Sequence, residues 1–112
     1  MEAKLNIYAG CESNEPVKTY VCRRLTFLVG TKIEILTEKI AKLEKKKTKD
    51  ATKEELLKIN EEQLELTVET LQAIFPNFTK EDFDGVDPIE YQEFCLEIGK
   101  ATAQVVNRAS KN

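Results

Sequence analysis

The spacing of apolar residues predicts a β-hairpin at the start of the chain. Apolar and polar residues alternate from Ala3 to Ala9, and β-branched and aromatic residues dominate from Val17 to Arg24, with turn-forming residues between the two runs. Alternation with a period of two is typical of half-buried strands. We therefore expect residues 1–25 to form an antiparallel hairpin. Because a two-stranded hairpin is only marginally stable in water, it must pack against other elements.

After the hairpin, apolar residues recur every three or four positions, which is typical of an amphipathic helix. The apolar positions of this first helix are Val29, Ile33, Leu36, Ile40 and Leu43. Thr26 precedes them and is a candidate N-cap. The predicted helix covers residues 26–46.

A second helix is predicted at residues 53–75, after a charged connection. Thr52 and Glu55 have the spacing of a capping box, in which each side chain bonds the backbone of the other residue. Pro76 ends the helix because it has no N–H to donate and its ring clashes with the preceding turn.

The remaining sequence predicts a short helical turn and a third long helix. The turn covers residues 79–84, with Thr79 as its cap. The long helix covers residues 88–109 and begins at Asp87 and Pro88, because an acid suits the N-cap and proline suits the first helical position. Residues 110–112 form a polar tail. The 112 residues therefore predict one mainly helical α+β domain, residues 1–112.

The composition excludes several kinds of chemistry. The chain has no His, so neither imidazole catalysis nor His metal ligation is available. Its three cysteines lack the paired spacing of zinc sites, and no glycine-rich phosphate-binding motif occurs. The acidic residues near Gly85 do not form a calcium loop, because Lys80 takes the first ligand position. We therefore predict no catalytic residue, no cofactor and no metal.

Charge is distributed unevenly along the chain, whose formal net charge is −3. Residues 39–53 contain seven lysines and two acids, whereas residues 54–97 contain thirteen acids and two lysines. The lysine-rich stretch is short and has no interleaved aromatic residues, which favours a solvated helix end over nucleic-acid binding. Since no stretch approaches 18 consecutive apolar residues, no membrane span is predicted.

The first predicted helix is a candidate partner-binding element because it is about 30 Å long and a small hairpin covers only part of it. Apolar positions left uncovered by the fold are natural contacts for another protein. The candidates are Leu25, Phe27, Val29, Ile33, Leu36 and Ile40. The same residues equally fit ordinary core packing.

Several local segments occur in a distinctive order. They are Arg23-Arg24-Leu25-Thr26 at the end of the hairpin, Ile74-Phe75-Pro76 at the end of the second helix, the acidic turn 78–83, and Asp87-Pro88 before the last helix. This layout resembles the small tail assembly chaperones of long-tailed bacteriophages, especially those of Gram-positive hosts. The resemblance spans most of the chain and includes no catalytic motif.

The resemblance implies a binding protein that is not an enzyme. It would bind the phage tape measure protein and keep its helical, apolar segments soluble until tail-tube protein polymerises around them. The resemblance further implies self-association. Many such proteins are made in two forms, the longer by a ribosomal frameshift, and this chain would be the short form. The protein would act in the cytoplasm of the infected host and would be absent from the mature virion. The alternatives are a head–tail or tail adaptor retained in the virion, and a small regulatory protein that binds nucleic acid through the lysines.

Overall fold

A hairpin followed by helices forms the fold, in a computed structural model that describes residues 1–111 and the side chains of residues 1–105. The elements are β1 (Ala3–Ile7), β2 (Lys18–Cys22), α1 (Phe27–Glu44), α2 (Lys53–Ile74), α3 (Lys80–Asp84) and α4 (Pro88–Lys111). The protein is 60% helical and 10% strand, which confirms the mainly helical α+β class.

The hairpin is antiparallel, with Ala3 opposite Cys22 and Ile7 opposite Lys18. Both strands are shorter than the alternating runs in the sequence. After Ile7 the chain leaves β2 and meets the segment that follows α3, where the Tyr8 N–H donates to the Gly85 carbonyl at 2.7 Å. Ile7 also forms an isolated antiparallel bridge with Val86. Part of the hairpin edge is therefore covered by the chain itself.

The ends of α1 and α2 follow local backbone chemistry. The Thr26 hydroxyl accepts from the Val29 N–H, which confirms the predicted N-cap of α1. The predicted helix 26–46 is too long at its end, because the Lys46 N–H bonds the Leu43 carbonyl and tightens the last turn. α2 ends at Ile74, one residue before the predicted end, since the residue before a proline favours extended backbone.

The sequence predicts a capping box at Thr52, but the complete capping box forms at Thr79. Thr52 accepts from the Glu55 N–H at 3.1 Å, but the reciprocal bond that would complete the box is not formed. At α3 both halves are present, because Thr79 accepts from the Asp82 N–H and the Asp82 carboxylate accepts from the Thr79 N–H.

The last helix is longer than the sequence predicts. Asp87 accepts from the N–H groups of Ile89 and Glu90 at 2.8 and 3.1 Å, as expected of an N-cap. The helix reaches Lys111, two residues beyond the predicted end, so the predicted tail 110–112 is mostly helical. Asn112 lies outside the described residues.

The hydrophobic core lies where the inner face of β1 meets the helices. Leu5, Leu71 and Phe78 are the largest fully buried side chains. Tyr20 packs against Phe75 and Phe78 with ring centroids 5.1 and 5.4 Å apart. These contacts join the hairpin to the end of α2 and to the segment that leads into α3.

α1 is the central helix, since it packs against both α2 and α4, whereas β1 packs against α4. The molecule measures 44 × 40 × 21 Å, so its thin dimension is about two helix diameters. Its radius of gyration is 15.4 Å, against about 13 Å expected for a compact chain of this length. The flat shape leaves much helix surface in contact with solvent.

Candidate protein-binding groove

α1, α2 and α4 surround a groove of about 390 Å³, which we call the interhelical groove. α1 packs against both of the other helices, and the groove opens between them. Among the described side chains, seven apolar residues from the three helices line it: Ile33, Ile40, Leu71, Ile74, Phe94, Ile98 and Ala103. A concave, largely apolar surface of this size suits a small apolar ligand or the apolar face of a helix.

Four threonines also line the interhelical groove, and each hydroxyl is satisfied within its own helix. They are Thr37, Thr67, Thr70 and Thr102. Each donates to the carbonyl oxygen four residues earlier, at 2.7–2.9 Å. Because these hydroxyls already donate to backbone carbonyls, a molecule bound in the groove does not have to supply acceptors for them. The groove therefore behaves as a more apolar surface than its composition suggests.

The α4 wall of the groove is built from small residues. Cys95, Gly99 and Ala103 are spaced four apart, lie on one side of the helix and are exposed. A Cβ atom placed on Gly99 would have no neighbour within 4 Å. Small side chains permit close approach of a second backbone, so this wall can accept a helix lying along it.

The titratable groups of the groove are mostly neutral at pH 7. Burial raises the pKa of the Tyr91 phenol well above its ordinary value. Burial also raises the pKa of the Cys95 thiol, although the residue is exposed at the groove edge. A neutral thiol is a weak nucleophile. Of the described side chains that line the groove, Glu34 is the one that is formally charged.

Asp82 fastens the hairpin to α3 and was not singled out by the sequence as more than part of a cap. Tyr20 donates to its carboxylate at 2.6 Å, and the Lys18 ammonium lies 3.2 Å from it. Burial by itself raises the pKa of Asp82, but the bonds from Tyr20, from the Thr79 N–H and from Lys18 outweigh it and hold the pKa below its usual value. The carboxylate stays ionised and keeps the hairpin in position.

A second polar cluster fastens the hairpin to α4. The Glu90 carboxylate accepts from Asn6 at 3.1 Å and from the Tyr8 hydroxyl at 2.7 Å. Thr19 in turn donates to Asn6 at 2.8 Å. The hydrogen bond to Glu90 raises the pKa of Tyr8. This cluster holds the first turn of α4 against the hairpin, and α4 forms one wall of the interhelical groove.

The six partner-contact candidates from the sequence fall into three environments. Ile33 and Leu36 are each 3% exposed, and Leu25, Val29 and Ile40 are half-buried. Phe27 is 63% exposed. Ile33 and Ile40 line the interhelical groove. The sequence did not single out the residues of α2 and α4 that line the groove as partner contacts. A helical apolar stripe has the same spacing whether it faces the core or a groove.

Two further kinds of feature are absent from the described part of the chain. It contains no group of three or more Cys, Asp and Glu side chains placed to hold a metal ion. Across residues 1–111, no helix combines the length and the apolar character needed to cross a membrane.

Comparison with known proteins gives no relative of this chain. No family model matches it, and no curated protein or solved structure is significantly similar.

Proposed function

We propose that the protein is a tail assembly chaperone of a long-tailed bacteriophage, which binds the tape measure protein and carries out no reaction. The interhelical groove is the observation that supports this proposal most strongly. The observed order of hairpin and helices is also the order on which the resemblance to these chaperones rests. The chaperone would act in the cytoplasm of the infected host and would be left behind when the tail is complete.

The mechanism is reversible shielding of apolar surface. A helical segment of the tape measure protein lies along the small residues of α4, with its apolar side chains facing the half-buried Ile40 and Ile74. Burying apolar area stabilises the complex by about 25 cal/mol per Å² before the costs of association are subtracted. Because the groove is open and its polar groups are satisfied internally, release requires no chemical step.

A groove-filling substitution tests the proposal directly. Gly99→Leu places a large side chain in the groove, where the Cβ position has free space around it. Leucine is also a better helix former than glycine, so the fold is retained. Gly10→Leu is the matched control, because the Gly10 Cβ position is equally open, its φ is not positive, and the residue lies in the hairpin loop.

The measurement is the soluble fraction of the tape measure protein after co-expression in bacteria. Wild type and Gly10→Leu should raise this fraction, and Gly99→Leu should not. In the wild type, slower alkylation of Cys95 at alkaline pH, where its thiol ionises, reports engagement of the groove, with exposed Cys11 as the internal reference. No gain in solubility with wild type, or an equal gain with Gly99→Leu, would contradict the proposal. Finding the protein in purified virions would favour a retained adaptor instead.

A further inference from the structure

The side of α1 that faces away from the interhelical groove carries a second apolar surface. Two of its side chains are exposed and large: Leu28 at 76% and Ile35 at 51%. Leu28 and Ile35 are seven residues apart, or about two helical turns, so they form a row along the helix. We call the surface formed by Leu28 and Ile35 with the basic residues around them the outer face of α1.

The outer face of α1 is distinct from the face that builds the core and the groove. Ile33 and Leu36 are buried on the inner side of α1, and Ile40 lines the groove. At 100° per residue, Leu28 and Ile35 lie roughly opposite Thr37, which also lines the groove. A partner on the outer face would therefore leave the groove unobstructed.

Basic side chains flank the apolar row. Lys32 and Lys39 are each four residues beyond Leu28 and Ile35, so they form a neighbouring row with the same spacing. Arg23 and Arg24 precede the helix and are exposed. Among the described side chains, none of these four cations forms an ion pair. Glu38, the nearest acid on this side, already lies 4.0 Å from Lys42.

We propose that the outer face of α1 docks an acidic amphipathic helix of a partner protein. The partner's apolar residues would cover Leu28 and Ile35, and its acids would meet Lys32 and Lys39, as charged flanks do beside the seam of a coiled coil. An anionic membrane fits less well, because helices that lie in a membrane surface bury a broad apolar face, whereas Leu28 and Ile35 form a single row with the seven-residue spacing of a helix–helix seam. The inference is independent of the proposed function, which concerns the groove.

Two synthetic helical peptides of equal length are the probes. Both carry leucine at heptad positions, and one has glutamate where the other has lysine at the flanking positions. Fluorescence anisotropy measures binding to the full chain at about 20 mM and about 500 mM salt, since surface ion pairs are screened at high salt. We expect the glutamate peptide to bind in low salt, the lysine peptide not to bind, and binding to weaken at high salt.

Substitutions on the outer face then locate the binding site. Leu28→Ser with Ile35→Ser should weaken binding of the glutamate peptide by about tenfold or more, because two apolar contacts are lost. Lys32→Glu with Lys39→Glu should abolish that binding and allow the lysine peptide to bind. Leu96→Ser is the matched control, because Leu96 is 65% exposed on α4 and its loss should leave binding unchanged. All three sets change exposed side chains and should fold normally.

Several outcomes would overturn the inference. Equal binding of both peptides, no binding of either in low salt, or an equal loss in Leu96→Ser would each contradict it. Sedimentation with vesicles of phosphatidylserine and phosphatidylcholine that depends on Leu28 and Ile35 would assign the surface to a membrane. Self-association that the same two serine substitutions abolish would assign it to a second copy of the chain. None of these outcomes changes the result expected from co-expression with the tape measure protein, because that experiment tests the groove.

Discussion

Asp82 connects the hairpin to the helices because groups from separate parts of the chain converge on one carboxylate. Tyr20 and Lys18 come from β2, whereas Thr79 comes from the cap of α3. The Asp82 side chain is 11% exposed, so it depends on these partners for the hydrogen bonds that water would otherwise supply. Removing one donor leaves part of a buried charge unsatisfied.

We expect Tyr20→Phe to lower the free energy of unfolding by about 1–3 kcal/mol, the usual cost of removing a hydrogen bond to a buried charged group. Urea denaturation of the wild type and the variant measures the change. A double-mutant cycle with Asp82→Asn, whose amide oxygen can still accept the hydrogen bond, isolates the contribution of the Asp82 charge. If Tyr20→Phe costs the same in the Asp82→Asn background, the charge adds nothing to the hydrogen bond.

Gly85 is required where α3 meets the hairpin, for steric rather than conformational reasons. Its φ is −97°, which any residue adopts, but an added Cβ atom would clash with the Tyr8 carbonyl oxygen and lie 2.9 Å from a methyl of Ile7. Gly85→Ala should therefore push the hairpin away from the Tyr8–Gly85 hydrogen bond. We expect a clear drop in thermal stability, whereas Gly10→Ala, with open space around its Cβ position, should be nearly neutral. An equally small effect of both would contradict the close approach.

At the scale of elements, α1 and α4 each contain one glycine, and the packing around the two is opposite. Alanine at Gly99 would meet nothing within 4 Å, whereas alanine at Gly30 would lie 2.9 Å from a methyl of Val105 in α4. Helix propensity favours alanine over glycine at both positions by about 1 kcal/mol. The two sites therefore separate propensity from packing within one molecule.

We expect Gly99→Ala to raise the free energy of unfolding by about 0.5–1 kcal/mol, and Gly30→Ala to lose that gain or to destabilise the protein. Circular dichroism during urea unfolding measures both. The double variant Gly30→Ala with Val105→Ala serves as a control, because it removes the clashing methyl groups. A gain in Gly30→Ala equal to that in Gly99→Ala would show that α1 and α4 do not approach closely there.

At the scale of the whole molecule, the ionisable groups with shifted pKa values confine the changes in stability to the extremes of pH. Asp82 has a lowered pKa in the folded state. Asp82 therefore adds to the free energy of unfolding above the ordinary carboxyl pKa of about 4, and this addition is lost as the pH falls through the pKa of the folded state. Tyr8, Tyr20 and Tyr91 have raised pKa values. The three tyrosines therefore add to the free energy of unfolding below about pH 10, and this addition is lost as the pH rises through their pKa values in the folded state.

We therefore expect a broad plateau of stability between about pH 5 and about pH 9, since the chain has no His to titrate within it. Urea midpoints measured across the pH range check this. Asp82→Asn should be less stable at neutral pH and should lose less stability on acidification than the wild type. If the urea midpoint of Asp82→Asn falls as much as that of the wild type on acidification, other carboxylates control acid unfolding.

The elements and their order could be predicted from the amino-acid sequence, because strands and helices depend on local periodicity and on caps such as Thr26 and Asp87. Which apolar residues face the core, the interhelical groove or solvent depends on how the elements pack together. The periodic stripe of α1 is mostly buried, whereas Leu28 and Ile35, which lie outside the stripe, are exposed. Spacing along one helix cannot reveal which other helix covers it. The contacts of Gly85 with Tyr8 and of Asp82 with Tyr20 join residues distant in the chain, so only folding brings them together.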